Sequence, residues 1–465
     1  MKKRIAAFLL AAVLLISVAG CTGSGNSSTD RSGAGNSSTG EADAESASTQ
    51  GTGEVIEIPL LMNNGGNDTQ SVLNQWIVDE FNKKYEGKYK AVVEWIPGVA
   101  EDIRSKLKML NSANDLPAVV TNLGAEPAFA DLLFTNDRLV DLKPYFDASE
   151  EWQEYVIPES VEYNTTEDGK MYSAPATAAD YSGIYYNKEH FEAAGIESFP
   201  KTWDEFWDAC EKLKAAGYTP IALHTTETGW CPFLLATAAL VETESGMEFI
   251  NTMYPTDFET DDMRRVMDIV ERLFSYSTTD SIGGNYALAA NHFCSGDTSM
   301  IPNGPWMITS LSDPQFAPEG FGEKVGYAMM PGEVMMSSQG QTYGDGVSVD
   351  HPAEVQEGAI EYLKFQATEL VIREKAIETG AFSEKVELTE EDMMDFDPTM
   401  RDYANLLPDL KGTYPSYQSK WDPLTQNEVI PTELVNYLNG EITQEEFLAK
   451  MTAATQEYQA EGAGQ

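Results

Sequence analysis

The chain has 465 residues, 75 acidic and 30 basic, for a formal net charge of −45, with four histidines and four cysteines. A surface that negative repels polyphosphate backbones and anionic headgroups, which excludes nucleic acid and acidic lipid as partners. The length is enough for two lobes with separate cores.

The first element is an export signal. Lys2, Lys3 and Arg4 precede an apolar stretch from Ile5 to Val18 that is too short to span a membrane, so residues 1–20 read as a cleaved signal peptide. The run Val18-Ala19-Gly20-Cys21 resembles the lipobox of bacterial lipoproteins, which implies acylation of Cys21 and anchoring to the outer face of the cell membrane. Residues 21–53 form a tether: Thr22 to Gly53 contains no Val, Ile, Leu, Met, Phe, Trp or Tyr. Such a chain cannot offset its ordering entropy by burial and reaches roughly 30 Å.

The body starts with an apolar strand from Glu54 to Met62 that runs into the polar turn Asn63 to Asp68. A helix from Ser71 follows, with Leu73, Trp76, Ile77, Phe81 and Tyr85 on one stripe. Then come a strand Tyr89–Trp95, a helix Glu101–Leu110 and a short strand Ala118–Thr121 that opens on Asn122 to Glu126. Strand and helix alternate, so the fold class is α/β with ligand-facing loops at the carboxyl ends of the strands. Further on, Thr202-Trp203-Asp204-Glu205 reads as a capping box for a helix burying Trp203, Phe206, Trp207, Cys210 and Leu213. Asp262 to Phe274 is a second amphipathic helix, and Thr443 to Glu446 caps the last one after a break at Asn439-Gly440.

Catalytic and metal signatures are absent: no Gly-x-Ser-x-Gly elbow, no phosphate-cradling glycine loop, no His-Glu-x-x-His. His190, His224, His292 and His351 stand apart from one another, and no metal or cofactor is expected. Asn164 to Gly169 begins like a calcium loop but has Pro175 where the last ligand belongs, so it reads as a turn. Cys210, Cys231 and Cys294 leave two alternatives, three buried thiols or one disulfide.

The stretch from Asp168 to Leu223 carries Gly-Lys-Met-Tyr, Ala-Pro, Tyr186-Asn187-Lys188, Ala194-Gly195-Ile196 and Pro200-Lys201-Thr202-Trp203. With "GDTSMIPNGPWMI" at 296–308 and "NGEITQEEFLAKM" near the end, the ordered set resembles the extracellular solute-binding proteins of bacterial ABC importers, the carbohydrate-binding group that includes maltose-binding protein. The resemblance implies a two-lobed periplasmic-binding-protein-like fold of type II, hinge-linked with discontinuous lobes: residues 55–175 and 348–408 in one, 176–347 and 409–465 in the other. The crossings are expected at Ala174–Tyr181 and Gly344–Asp350. It implies no enzymatic activity, a mono- or oligosaccharide ligand held in the cleft, delivery to membrane permease subunits, and a monomer.

A sugar needs hydrogen-bond acceptors for its hydroxyl edge and flat rings for its C–H faces. Candidates on loops are Trp230 and Glu227 in "HTTETGWCPF", Asn63, Asn64 and Glu126 at strand ends, and Asp345 at the second crossing. The family's pattern adds Asp180 after the first crossing, Trp306 and Asn303 in Asn-Gly-Pro-Trp, and Trp421 before the last helices. Two other readings stay open, a surface enzyme that cuts polysaccharide with paired carboxylates and a binding protein for a non-sugar solute.

Overall fold

The computed structural model describes residues 55–462, apart from 64–68, 98–99, 122, 313, 315, 339 and 395. The export signal, the tether with Cys21, and Asn64 lie outside the described residues.

The first lobe is built on β1 (Ile56–Asn63) and β2 (Tyr89–Ile96), parallel and in register from the Ile56/Tyr89 pair to the Asn63/Ile96 pair. α1 (Thr69–Lys84) connects them. α2 (Ala100–Ala113) then leads to the short β3 (Val119–Val120) on the other side of β1, and α3 (Pro127–Thr135) follows. β1 is buried on both faces: Ile58, Leu60 and Met62 pack with Leu73, Ile77 and Phe81 of α1, and Leu61 packs with Ile103 and Leu107 of α2. Double burial is why this strand reads as a continuous apolar run instead of an alternation.

The second lobe holds β4 (Gly183–Asn187), β5 (Thr219–Ile221), β6 (Thr298–Asn303) and β7 (Val325–Ala328), ordered β5-β6-β4-β7. β4 is antiparallel to both neighbours and β5 is parallel to β6. The helix Trp203–Ala215 starts at the expected capping box, with Thr202 and Glu205 bonded reciprocally, and buries Trp203, Phe206, Trp207, Cys210 and Leu213. β8 (Val334–Met336) ends the first pass through this lobe. β9 (Gly346–Val347) is back in the first sheet, antiparallel to β3, and β10 (Gly412–Tyr414) pairs in parallel with β8. Cys210, Cys231 and Cys294 are buried free thiols, which removes the disulfide alternative. Among the described residues, no helix is long and apolar enough to cross a membrane.

The chain crosses between lobes three times. The first crossing runs through Ala174–Ser182: Ile157 N of the first lobe bonds Ala176 O, and Ser182 bridges Met336 of the second. The second comes earlier than Gly344–Asp350. Ser337 N still bonds Tyr414 O, whereas a Cβ on Gly340 would stand 2.9 Å from Cβ of Ser160, so the change of lobe occurs over residues 337–340. The third falls near Gly380, not at residue 408. Phe382 bridges Ala179, and Phe396, Met400 and Tyr403 bury their apolar face in the second lobe's core.

Two tyrosine hydroxyls pin these crossings. Tyr327 Oη donates to Tyr181 O at 2.8 Å and accepts from Gly183 N at 2.6 Å. Tyr403 Oη donates to Gly380 O at 2.9 Å and accepts from Tyr181 N at 3.1 Å. Burial pushes both phenols well above their ordinary value, so they remain neutral donors.

Gly380 has φ +70°, and a Cβ there would lie 2.8 Å from Cε1 of Tyr403. Gly195 has nearly the same φ, +69°, with nothing within 4 Å of a Cβ. Gly195→Ala is therefore expected to cost about 1 kcal/mol and Gly380→Ala about 2–3 kcal/mol, read from urea midpoints at unchanged slope. Equal losses would show that the hinge packing around Gly380 carries no extra constraint.

Candidate functional site

The carboxyl end of β6 shapes the site. Pro305 to Leu311 continue as a 3-10 turn, and a Cβ on Gly304 would stand 2.1 Å from Cζ3 of Trp306. Glycine is thus required because the indole folds back over it. The turn is tied down by Tyr185 Oη donating to Gly304 O at 2.7 Å. The result is an indole held in place and 45% exposed, facing an interlobe cleft of about 980 Å³.

Trp306 is one panel of an aromatic wall. Its ring centroid is 6.0 Å from that of Trp230, and Trp230 is 5.5 Å from Tyr286, both pairs inclined by about 45°. Trp230 opens the helix Trp230–Ala236 after three successive left-handed residues, Glu227 (φ 55°), Thr228 (φ 69°) and Gly229 (φ 58°). Two of these are not glycine, and such conformations cost of order 1–3 kcal/mol each unless the surroundings fix them. Here they do: Tyr417 Oη donates to Thr228 O at 2.9 Å, Gln418 Nε2 donates to Thr228 Oγ1 at 3.0 Å, and Glu227 Oε2 accepts from Tyr286 N at 2.8 Å. The loop, the Tyr286 helix and the Tyr417 segment are locked together along the same wall.

Behind Trp230 lies His224, fully buried. Its Nδ1 meets Thr226 O at 2.9 Å and its Nε2 accepts from Cys231 N at 3.5 Å, which is the neutral Nδ1–H tautomer. Burial pulls its pKa down to about 4.

The first lobe supplies the facing rim: Asn63 at the end of β1, and Arg104 and Lys108 one turn apart on α2, beside the buried Ile103 and Leu107. Lys108 Nζ pairs with Glu126 Oε1 at 2.6 Å. A narrower recess continues from the cleft past Thr228, Gln418 and Asn427 to Glu126, Tyr254 and Trp421. Glu126 Oε2 and Trp421 Nε1 have no protein partner there.

The structure brings together Trp306, Trp230, Glu227 and Asn63 on the cleft and Glu126 on the adjoining recess. It separates others from it. Asn303 is fully buried behind the wall, where its Nδ2 donates to the Tyr286 hydroxyl at 2.9 Å; it orients a ring and does not face the cleft. Trp421 is 1% exposed and packs on Phe258, Phe233 and Tyr417, with only an edge at the recess, so it is no stacking platform. Asp180 and Asp345 line a different hollow of about 310 Å³ at the hinge, which shares no lining residue with the cleft. For Asp180 the reason is strand pairing: Ser182 bridges Met336, which lines the cleft, whereas Ala179 bridges Phe382, next to Ala381 in the hinge hollow. In that hollow Gln366 Nε2 reaches Asp345 Oδ2 at 3.4 Å, and Lys375 Nζ reaches Gln366 Oε1 at 3.5 Å. Burial pulls the Lys375 ammonium down, and Asp345 opposes it.

Sequence reasoning missed Tyr286, Tyr417, Gln418, Asn427, Arg104 and Lys108. The spacing of Arg104 and Lys108 was a usable signal, since both sit one position after an apolar stripe residue. Tyr286 and Tyr417 carried none, because a loop tyrosine gives no sign of which wall it joins.

These features match a known group. A family profile described as bacterial extracellular solute-binding protein covers residues 76–383. The chain belongs to this family. A multiple sugar-binding protein of Streptococcus mutans serotype c is 29% identical over 212 residues, 43% of this chain and 48% of that protein, so the match spans about half the relative's length. An uncharacterized ABC transporter extracellular-binding protein of Pyrococcus horikoshii is 25% identical over 452 residues, covering 93% of this chain and 96% of that one. Among solved structures, a chitin oligosaccharide binding protein superposes with a TM-score of 0.72 at 23% identity, over 87% of this chain and 99% of that one. This solute-binding protein therefore has the family's two-lobed α/β fold.

Two outcomes test the wall. Gly304→Ala should displace the Trp306 indole and shift tryptophan emission while the fold persists; an unchanged spectrum would show that the close approach is dispensable. His224 is held neutral, with its folded pKa near 4 below the unfolded value near 6.5. Its stabilising contribution is therefore complete above pH 6.5 and is lost as pH falls toward 4, at about 1.4 kcal/mol per pH unit. His224→Gln should flatten the fall in melting temperature between pH 6.5 and 4.5, and an identical slope would remove His224 as its source.

Proposed function

We propose that this solute-binding protein is the substrate-binding component of a carbohydrate ABC importer. It captures a mono- or oligosaccharide between its lobes and hands it to membrane permease subunits. The observation that carries the reading is the wall of Trp306, Trp230 and Tyr286, with the rings fixed in place and facing a cleft edged by Asn63, Glu227, Gln418 and Asn427. Apolar sugar faces rest on such rings, and amides and a carboxylate take the hydroxyl edge. Rings that are already immobile lose little entropy on binding. The names of relatives, a multiple sugar-binding protein and a chitin oligosaccharide binding protein, support the same ligand class.

The protein binds without chemistry in this reading, acts outside the cytoplasm as its family does, works as a monomer and is held to the membrane through acylated Cys21. The cleft contacts fall to Trp306, Trp230, Tyr286, Glu227, Asn63, Gln418 and Asn427.

A panel of mono- and oligosaccharides, followed by thermal shift and tryptophan fluorescence with product analysis of each mixture, tests it. Saturable, stoichiometric binding without new products is expected. Trp306→Ala and Trp230→Ala should each weaken binding about tenfold or more, with little change of melting temperature for the exposed Trp306 and a lower one for Trp230, which packs against the core. Turnover of any sugar, or full affinity in both tryptophan variants, would overturn the reading.

A further inference from the structure

The lobes also touch away from the crossings. Asp131 lies on α3 of the first lobe. Tyr254 lies in the second lobe, between the helices Glu244–Asn251 and Asp261–Phe274. The Tyr254 hydroxyl donates to Asp131 Oδ2 at 3.2 Å. The other oxygen, Oδ1, accepts from the Tyr343 hydroxyl at 3.0 Å, and Tyr343 belongs to the segment that has already entered the first lobe, where its ring packs against Phe134. One carboxylate oxygen is thus fixed from within its own lobe, and the other is offered across the seam.

Tyr254 is held for this contact. Its amide donates to Lys420 O at 2.7 Å, its carbonyl accepts from Gln459 Nε2 at 2.8 Å, and its ring meets Tyr458 edge-on at 5.2 Å. Its φ is +52°, a left-handed conformation that a non-glycine residue keeps only where its surroundings fix it. A second pair reinforces the seam: Lys420 of the second lobe lies 5.6 Å above the Tyr163 ring of the first. Tyr254 borders the recess beyond the cleft, whereas Asp131 lines neither the recess nor the cleft.

We propose that Tyr254 and Asp131 form a latch that biases the two lobes toward the closed arrangement, so that affinity for the solute depends on a contact Asp131 makes without touching it. This rests on the reading that the cleft closes on a solute. A latch made before the solute arrives lowers the cost of closure, and linkage passes the gain to whatever the cleft encloses. Loss of one hydrogen bond to a carboxylate corresponds to about a tenfold shift toward the open population.

The test uses the full chain with no ligand added. Nitroxide labels on Lys83→Cys in the first lobe and Lys212→Cys in the second report the interlobe distance by pulsed electron resonance. Tyr254→Phe should move the distribution to longer distances, with the closed fraction falling about tenfold against the open one. Asp131→Asn should do the same, and the double variant should go no further than the larger single change. An unchanged distribution in Tyr254→Phe, or two independent, additive effects, would overturn the latch. Circular dichroism of each variant confirms folding, and should Asp131→Asn fail to fold, Tyr254→Phe decides alone. Because no sugar is present, failure here is distinct from failure of the sugar panel.

Discussion

The extended segment from Ala179 to Gly183 is held by two phenol hydroxyls that act as backbone partners. Tyr327 and Tyr403 each accept from one main-chain amide and donate to one carbonyl in or beside it. A segment crossing between lobes has no sheet neighbours along its whole length, and its polar groups must still be satisfied. Tyrosines reaching in from β7 and from the helix Pro398–Leu406 meet that demand. The placement of the third crossing follows from it, because Tyr403 bonds Gly380 and the first crossing with one hydroxyl. So does the division of space around the hinge, with the aromatic cleft on the Met336 side and the charged hollow on the Phe382 side.

The aromatic wall shows the same economy in another form. Trp306 is placed by the absence of a side chain at Gly304, and Trp230 by a left-handed run that other side chains stabilise from behind. His224 and Asn303 contribute as buried, neutral supports: one closes the loop onto Thr226 and Cys231, the other steers the Tyr286 hydroxyl. In a chain of net charge −45 the lining of the cleft balances Arg104 and Lys108 against Glu227, with Glu126 already paired to Lys108. Charge does not dominate the pocket, and ring faces and amides make up much of its lining.

Much of the fold was legible because burial imposes local patterns. The stripe Trp203, Phe206, Trp207, Cys210 and Leu213, the capping box before it, and the alternation of β1, α1, β2 and α2 follow from rules that act within a few residues. Lobe membership is a different kind of fact. Phe396, Met400 and Tyr403 join the second lobe by packing in its core with Tyr327 of β7, a pairing between distant segments that no periodicity announces. The site divides along the same line. Trp306, Trp230, Glu227, Asn63 and Glu126 were visible as loop residues at strand ends. Asp180 falls in the hinge hollow because the partners of its crossing strand, Met336 and Phe382, lie far along the chain, and Asp345 falls there because its carbonyl accepts from Ala174 N. Trp421 looked like a platform in its polar loop, yet Phe233, Phe249 and Phe258 enclose it.

The three free thiols bear on the protein's life outside the cytoplasm. Burial raises Cys210 to about 12 and Cys294 to about 11, and pushes Cys231 well above its ordinary value, so almost no thiolate exists to react once the chain has folded. Cys210, Cys231 and Cys294 form no cross-link, so a reducing medium has no disulfide to break among the described residues. The hazard falls in the interval between export and folding, when all three sulfurs are exposed and can pair wrongly. Burial is the protection, and Cys210 and Cys231 lie on helices packed into the second lobe's core.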